Sequence, residues 1–169
     1  KGRGRMVKHA WKESPADILA YMDIDLSTDL EDLTPLIEAI TQGADIAIGS
    51  RQYPGARVTR GFKREAISRG YILLLKLMLR FPFTDAQCGF KAATRNVVDK
   101  LFPHIEDNEW FFDTELLHVA HVLGYRVAEL PVRWIEDTDS RVKILRTAWL
   151  DVLGVLRMIR DRRKIRAIQ

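Results

Sequence analysis

Two carboxylates two residues apart, Asp23 and Asp25, follow directly on the apolar run Ile18-Leu19-Ala20-Tyr21-Met22. Side chains of an extended chain alternate with a period of two, so both acids leave the same side and can face one cation. Carboxylate oxygens are hard ligands suited to Mg²⁺ or Mn²⁺, and either ion would also take the phosphate oxygens of a nucleotide. The bland alternative is a pair of solvated turn acids. Other reactive residue types offer less. Cys88 is the single cysteine, which excludes an internal disulfide framework and a cysteine-rich zinc site, fits a reducing compartment, and reads as a small packing residue. His9, His104, His118 and His121 make no ligand constellation; the last two share a helix face without a third partner.

Stepping outward from Asp23, the pattern predicts a helix over 4–13 and a buried strand over Ile18 to Met22. A helix from Leu30 to Gln42, capped by Ser27 or Thr28, is stopped by Gly43. A second strand covers Asp45 to Ile48 and ends in Gly49-Ser50-Arg51. After a loop with Pro54 and Gly55 comes a long helix from Gly61 to Arg80. Cys88 to Ala93 reads as a strand, Arg95 to Leu101 and Asp113 to Leu123 as helices, Tyr125 to Pro131 as a strand, and Arg141 to about Lys164 as a last helix. Strands alternating with helices predict an α/β layer architecture with a mostly parallel sheet. Ligands gather at the carboxyl ends of such strands, where Asp23, Asp25, Ser50 and Arg51 all fall.

The chain has 169 residues, 47% of them hydrophobic, which suits one globular domain without repeats or low-complexity tracts. Its longest apolar stretch, Tyr71 to Phe81, is interrupted by Lys76 and Arg80 and is too short to span a bilayer. The net charge of +4 is unevenly spread: residues 140–169 hold nine Lys/Arg against two Asp, or +7, and residues 1–139 hold 18 basic against 21 acidic residues, or −3. A basic end on a mildly acidic body suggests a polyanionic partner, lipid headgroups or nucleic acid, with a solvated helix face as the alternative. The first residue is Lys1 rather than Met, from which an N-terminally incomplete chain is expected.

Six segments in order carry a resemblance: Tyr21-Met-Asp-Ile-Asp-Leu-Ser27, Ile48-Gly-Ser-Arg51, Lys63-Arg-Glu-x-x-Ser-Arg69, Asp85-Ala-Gln-Cys-Gly-Phe-Lys91, Trp110-Phe-Phe-Asp-Thr-Glu-Leu-Leu117, and Glu129-Leu-Pro-Val-x-Trp134 with Asp139-Ser-Arg-Val142. Together they resemble the glycosyltransferase family 2 enzymes related to dolichyl-phosphate mannosyltransferase, and most of all their bacterial polyprenyl-phosphate relatives. The resemblance implies a GT-A type fold, Rossmann-like, with residues 1–140 as the C-terminal portion of the catalytic domain and 141–169 as a basic amphipathic C-terminal helix. It implies that Asp23 and Asp25 hold the metal and the donor diphosphate, with Ser27 standing where some relatives have Gln. Arg51, Arg64 and Ser68 match positions that hold the acceptor phosphate; Arg141 and Lys143 match a basic pair that closes over the donor phosphates. Asp85, Gln87 and Glu115 are expected to line the sugar or acceptor pocket, and Asp113 to face the transferred sugar. Asp25, Asp113 and Arg51 are then the catalytic candidates. Gly89 is expected to permit close backbone approach and Phe90 to lie in the core.

The implied reaction is transfer of a sugar from a UDP- or GDP-linked donor to a polyprenyl phosphate. A phosphate monoester, with a second pKa of about 6, is already a competent nucleophile near neutrality. In-line displacement would invert the anomeric centre. At 100° per residue, Arg69, Lys76 and Arg80 fall within about 40°, and Arg146, Arg157, Arg160 and Lys164 within about 60°. Such basic stripes beside apolar faces predict interfacial helices on an anionic membrane, with core-packing helices and snorkelling bases as the alternative; the resemblance implies a peripheral place on the cytoplasmic face of the cell membrane. No nucleic acid partner is expected. The alternatives are a family 2 transferase acting on a saccharide or protein, and a non-catalytic module that binds anionic membrane or nucleic acid. The base and ribose are expected to bind residues preceding Lys1, so the chain alone is expected to be inactive.

Overall fold

The computed structural model describes residues 2–136 and 144–167, except the side chains of residues 144–146, 163 and 166. The strands are β1 (Ile18–Met22), β2 (Ile46–Ser50), β3 (Arg57–Thr59), β4 (Phe90–Thr94), β5 (Val127–Pro131) and β6 (Arg133–Ile135). The helices are α1 (Arg3–Glu13), α2 (Leu33–Thr41), α3 (Phe62–Leu79), α4 (Arg95–Leu101), α5 (Phe112–Val122) and α6 (Ile144–Arg166).

Four strands form one sheet in the order β1-β4-β2-β5, and β3 pairs with β6 in a separate parallel ribbon. β4 is antiparallel to both β1 and β2, whereas β2 and β5 are parallel. Three strands therefore run one way and β4 alone opposes them. All five residues of β2 are buried, as befits a strand covered on both faces. Alternation sorts its side chains: Ile46 and Ile48 enter a large core with Trp11, Phe112, Leu116 and Leu117, while Ala47 joins Leu36, Ile40, Phe90 and Val132 on the opposite face. Helix α2 thus covers one face and α1, α4 and α5 the other. The inner side of α6 contributes Val155, Met158 and Ile165 to the larger core.

The elements differ from expectation at their ends. Neither Ser27 nor Thr28 caps the third segment. Asp29 does, accepting from the Glu31 N–H, and a 3₁₀ turn over Leu30–Asp32 precedes α2. Thr28 is buried in a bridge to Trp134. The strand expected from Cys88 begins at Phe90, because Asp85 Oδ1 accepts from the backbone N–H groups of Gln87 and Cys88 and holds them in a loop. The three-residue strands β3 and β6 were not expected, being too short to show a period. Helix α3 ends as expected, with Arg80 in the left-handed conformation at φ 55°.

Candidate functional site

Because β4 runs against its neighbours, its amino end lies at the same edge as the carboxyl ends of β1 and β2. Three loops therefore meet there: the one after Met22, the one after Ser50, and the 85–89 segment. The backbone N–H of Asp23 donates to the Gly89 carbonyl at 2.8 Å, tying two of them together. A Cβ on Gly89 would overlap the Asp23 carboxylate and the Arg3 guanidinium, so the close approach expected of this glycine is realised.

Beneath Asp23 lies a buried ionic cluster. Arg3 reaches Asp23 at 3.2 Å and Asp113 at 3.4 Å. The Asp113 carboxylate is 0% exposed; it also takes Lys91 Nζ at 2.9 Å and a short hydrogen bond from the Tyr21 hydroxyl. Burial raises the Asp23 pKa; the Arg3 charge opposes that shift, and Asp113 and Asp25 reinforce it. Asp25 is exposed, with Oδ1 accepting from the Ser27 N–H at 3.0 Å. Asp113, expected to face the sugar, is instead enclosed as the counter-ion of Lys91 and Arg3.

A second cluster is built on Arg51. Its Nε and Nη2 donate to Asp85 at 2.7 and 3.0 Å, a bidentate pair, and its guanidinium lies 5.4 Å from the Trp134 ring centroid. Burial alone would raise the Asp85 pKa, but Arg51 overrides it and holds the carboxyl down at about 2. Glu129 supports this loop by accepting from the Thr84 and Asp85 N–H groups at 2.8 and 3.2 Å. Gln52, next to Arg51, donates to Ser68 Oγ at 3.0 Å, which brings Ser68 to the same edge. Arg64, one turn earlier on α3, is paired with Glu136. Gln87 donates to Asp151 of α6 at 2.8 Å. Burial lifts the Asp151 carboxyl to about 6, although the Gln87 bond works the other way.

Glu115 is not brought to this edge. It is fully buried, accepts from the Glu106 and Asp107 N–H groups at 3.2 and 2.8 Å, and pairs with Arg157 at 2.7 Å. A cavity of about 230 Å³ lies between α6 and the 107–111 segment; Trp110, Leu150, Asp151 and Arg157 line it, whereas Asp85 and Glu115 do not. Arg141 and Lys143 lie outside the described residues, as does the side chain of Arg146. Cys88 is buried, which pushes its thiol up to about 11 and removes it as a nucleophile. Sequence reasoning missed Arg3, Lys91, Glu129 and Asp151. The signal for Lys91 was there: a lone cation inside an otherwise apolar strand needs a buried partner.

The residues fit a hard divalent ion. Among the described residues no three His, Cys, Asp or Glu side chains converge on one point. Asp23 and Asp25 are oxygen donors of the right kind, and Mg²⁺ typically takes one or two carboxylates and completes its shell with water and substrate phosphate.

The profile of "Glycosyl transferase family 2" matches residues 1–102. The chain belongs to glycosyltransferase family 2. Among family relatives, the glycosyltransferase AglD of Haloferax volcanii is 42% identical over 91% of this chain and 24% of that protein. A dolichyl-phosphate beta-glucosyltransferase of Drosophila melanogaster is 34% identical over 84% of this chain and 46% of its own length. The chain therefore spans less than half the length of either. Glucosyl-3-phosphoglycerate synthase from Mycobacterium tuberculosis, solved with UDP, superposes with a TM-score of 0.69 at 17% identity, over 94% of this chain and 55% of that one. The same enzyme with Mn²⁺, UDP-glucose and glycerol 3-phosphate gives 0.66 at 15% identity, over 92% and 54%. The family 2 fold is of GT-A type, with β4 as the reversed strand in an otherwise parallel sheet.

Proposed function

We propose that the whole protein is an inverting, metal-dependent glycosyltransferase that moves a sugar from a nucleotide-sugar to a polyprenyl phosphate at a membrane surface. The observation that carries this reading is the meeting of an acidic pair, Asp23 and Asp25, with the Arg51–Ser68 group at one sheet edge. One region suits a cation and a diphosphate; the other suits a phosphate monoester. The names of the relatives, dolichyl-phosphate beta-glucosyltransferases among them, support a lipid-phosphate acceptor.

Asp23 and Asp25 would hold Mg²⁺ or Mn²⁺, which would supply positive charge to offset that of the departing nucleoside diphosphate. Arg51, kept in position by Asp85 and Trp134, turns its remaining N–H donors to the acceptor phosphate, assisted by Ser68 and Arg64. The nucleophile is already ionised, so no general base is required. Arg141 and Lys143, which lie outside the described residues, are assigned to the donor phosphates by the family resemblance alone, and Gln87 borders the sugar.

Residues 1–140 serve as the catalytic portion and 141–169 as its basic flank. Leu73, Leu77 and Met78 of α3 and Trp149, Leu153 and Leu156 of α6 are exposed, and the two helices pack on each other. Arg69, Lys76, Arg80, Arg160 and Lys164 lie among them, a composition suited to an anionic lipid surface. Among the described residues no helix is long and apolar enough to cross a membrane. The proposed location is the inner face of the cell membrane, with no nucleic acid partner. An acceptor competition assay tests the reading. Full-length protein given a nucleotide-sugar should label polyprenyl phosphate in preference to free saccharides or peptides, and preference for either of the latter rejects it.

A further inference from the structure

Resting on the metal reading of Asp23 and Asp25, we propose that Arg3 is the resident counter-ion of that site. Its guanidinium holds Asp23 while no divalent cation is bound and withdraws onto Asp113 when one arrives. As the side chains stand, one of the two Asp23 oxygens is taken by Arg3. Oδ1 lies 3.2 Å from Arg3 Nη2, and Oδ2 packs over Gly89 where any Cβ would overlap it. A cation coordinating Asp23 needs one of these oxygens and is repelled by a guanidinium on the same carboxylate.

The place to which Arg3 withdraws is already built. Arg3 Nε faces Asp113 Oδ2 at 3.4 Å, yet both atoms are buried and neither makes a hydrogen bond. The guanidinium is thus shared between two carboxylates, 3.2 Å from one and 3.4 Å from the other, and settles fully on neither. Release of Asp23 lets it settle on Asp113 and satisfies both orphan atoms, which offsets the lost pair. Lys91 stays on the other Asp113 oxygen, 2.9 Å away. The rings of Tyr21 and Trp110, at 5.5 and 5.3 Å from the guanidinium carbon, give Arg3 aromatic faces on the way. Metal loading then moves a side chain that touches Trp110, at the wall of the cavity beside α6.

The test is Mn²⁺ affinity of the full-length protein without nucleotide, followed by electron paramagnetic resonance or calorimetry. Arg3→Ala should bind Mn²⁺ about two- to fivefold more tightly than wild type, the weight of a partly exposed ion pair. Arg3→Lys, a compact charge unable to fork between two carboxylates, should fall between them. Equal or weaker binding by Arg3→Ala overturns the proposal. In case that variant does not fold, the arginine side-chain ¹⁵N spectrum of the wild type gives a second reading. Mg²⁺ should shift the Arg3 Nε resonance, and an unmoved signal at saturating Mg²⁺ rejects the exchange. Asp25→Asn separates the two levels of the argument. If it binds Mn²⁺ as wild type does, the metal reading and the proposal fall together. If it loses the ion while Arg3→Ala gains nothing, only the counter-ion role falls.

Discussion

Replacing Asp85 by Asn removes the charge on which five N–H donors converge: Arg51 Nε and Nη2 and the backbone N–H groups of Arg51, Gln87 and Cys88. The side chain is 2% exposed and that of Arg51 is 15% exposed, so the cation left behind has little water to turn to. Breaking a buried pair by removing one partner costs about 3–5 kcal/mol. The depressed pKa of Asp85 points the same way. The Asp85 pKa falls from 3.8 to about 2 on folding. At about 1.4 kcal/mol per unit, that is roughly 2–3 kcal/mol of stability. Because the folded pKa is depressed, this contribution is present above pH 4 and is lost as pH falls through about 2. Urea unfolding of wild type and Asp85→Asn from pH 7 downward should therefore show a gap of about 2–5 kcal/mol at pH 7 that narrows below pH 4. A domain typically has only about 5–15 kcal/mol in total, so the effect is large. Equal midpoints at pH 7, or a gap that stays constant to pH 2.5, would refute Asp85 as the ionised partner of Arg51.

Asp151 gives the opposite sign. Its folded pKa is raised to about 6, so its ionisation costs stability as pH rises through about 4 to 6. Asp151→Asn keeps an acceptor for Gln87 and should raise stability by about 1–3 kcal/mol at pH 7.5 and by little at pH 4, read by thermal unfolding. Arg64→Ala should raise KM for polyprenyl phosphate about three- to tenfold and leave the donor KM unchanged, a change of about 1 kcal/mol for a partly exposed phosphate contact. Vesicle sedimentation should increase with anionic lipid and fall with salt, and Trp149→Ser should weaken it; equal binding to neutral vesicles at all salt concentrations contradicts the electrostatic part.

Much of this arrangement is readable in the residues alone, and the rest is not for definable reasons. Ile18–Met22 and Arg95–Leu101 come out with the boundaries expected of them, because an apolar run before two acids and a Thr94 cap are local signals. Asp23, Asp25, Arg51 and Ser68 are brought to one edge through the sheet order. That order depends on β4 inserting between β1 and β2, which no local pattern encodes. The misplaced expectations concern buried charge. Asp113 and Glu115 open a helix, and the resemblance implies that they border the sugar or acceptor pocket. Both are fully buried because their partners arrive from far along the chain: Tyr21, Lys91 and Arg3 for Asp113, Arg157 for Glu115. Helical periodicity shows which face is apolar. It does not show that a distant cation will neutralise an acid on that face.

The most direct test of the central claim is transfer of labelled sugar from a nucleotide-sugar to polyprenyl phosphate by the full-length protein, with and without a divalent chelator, in wild type and Asp25→Asn. Wild type should form an acid-labile lipid-phosphate sugar that disappears on chelation and returns with Mn²⁺ or Mg²⁺. Asp25→Asn should fold and form none. Undiminished transfer in the chelated enzyme or in Asp25→Asn would contradict the account.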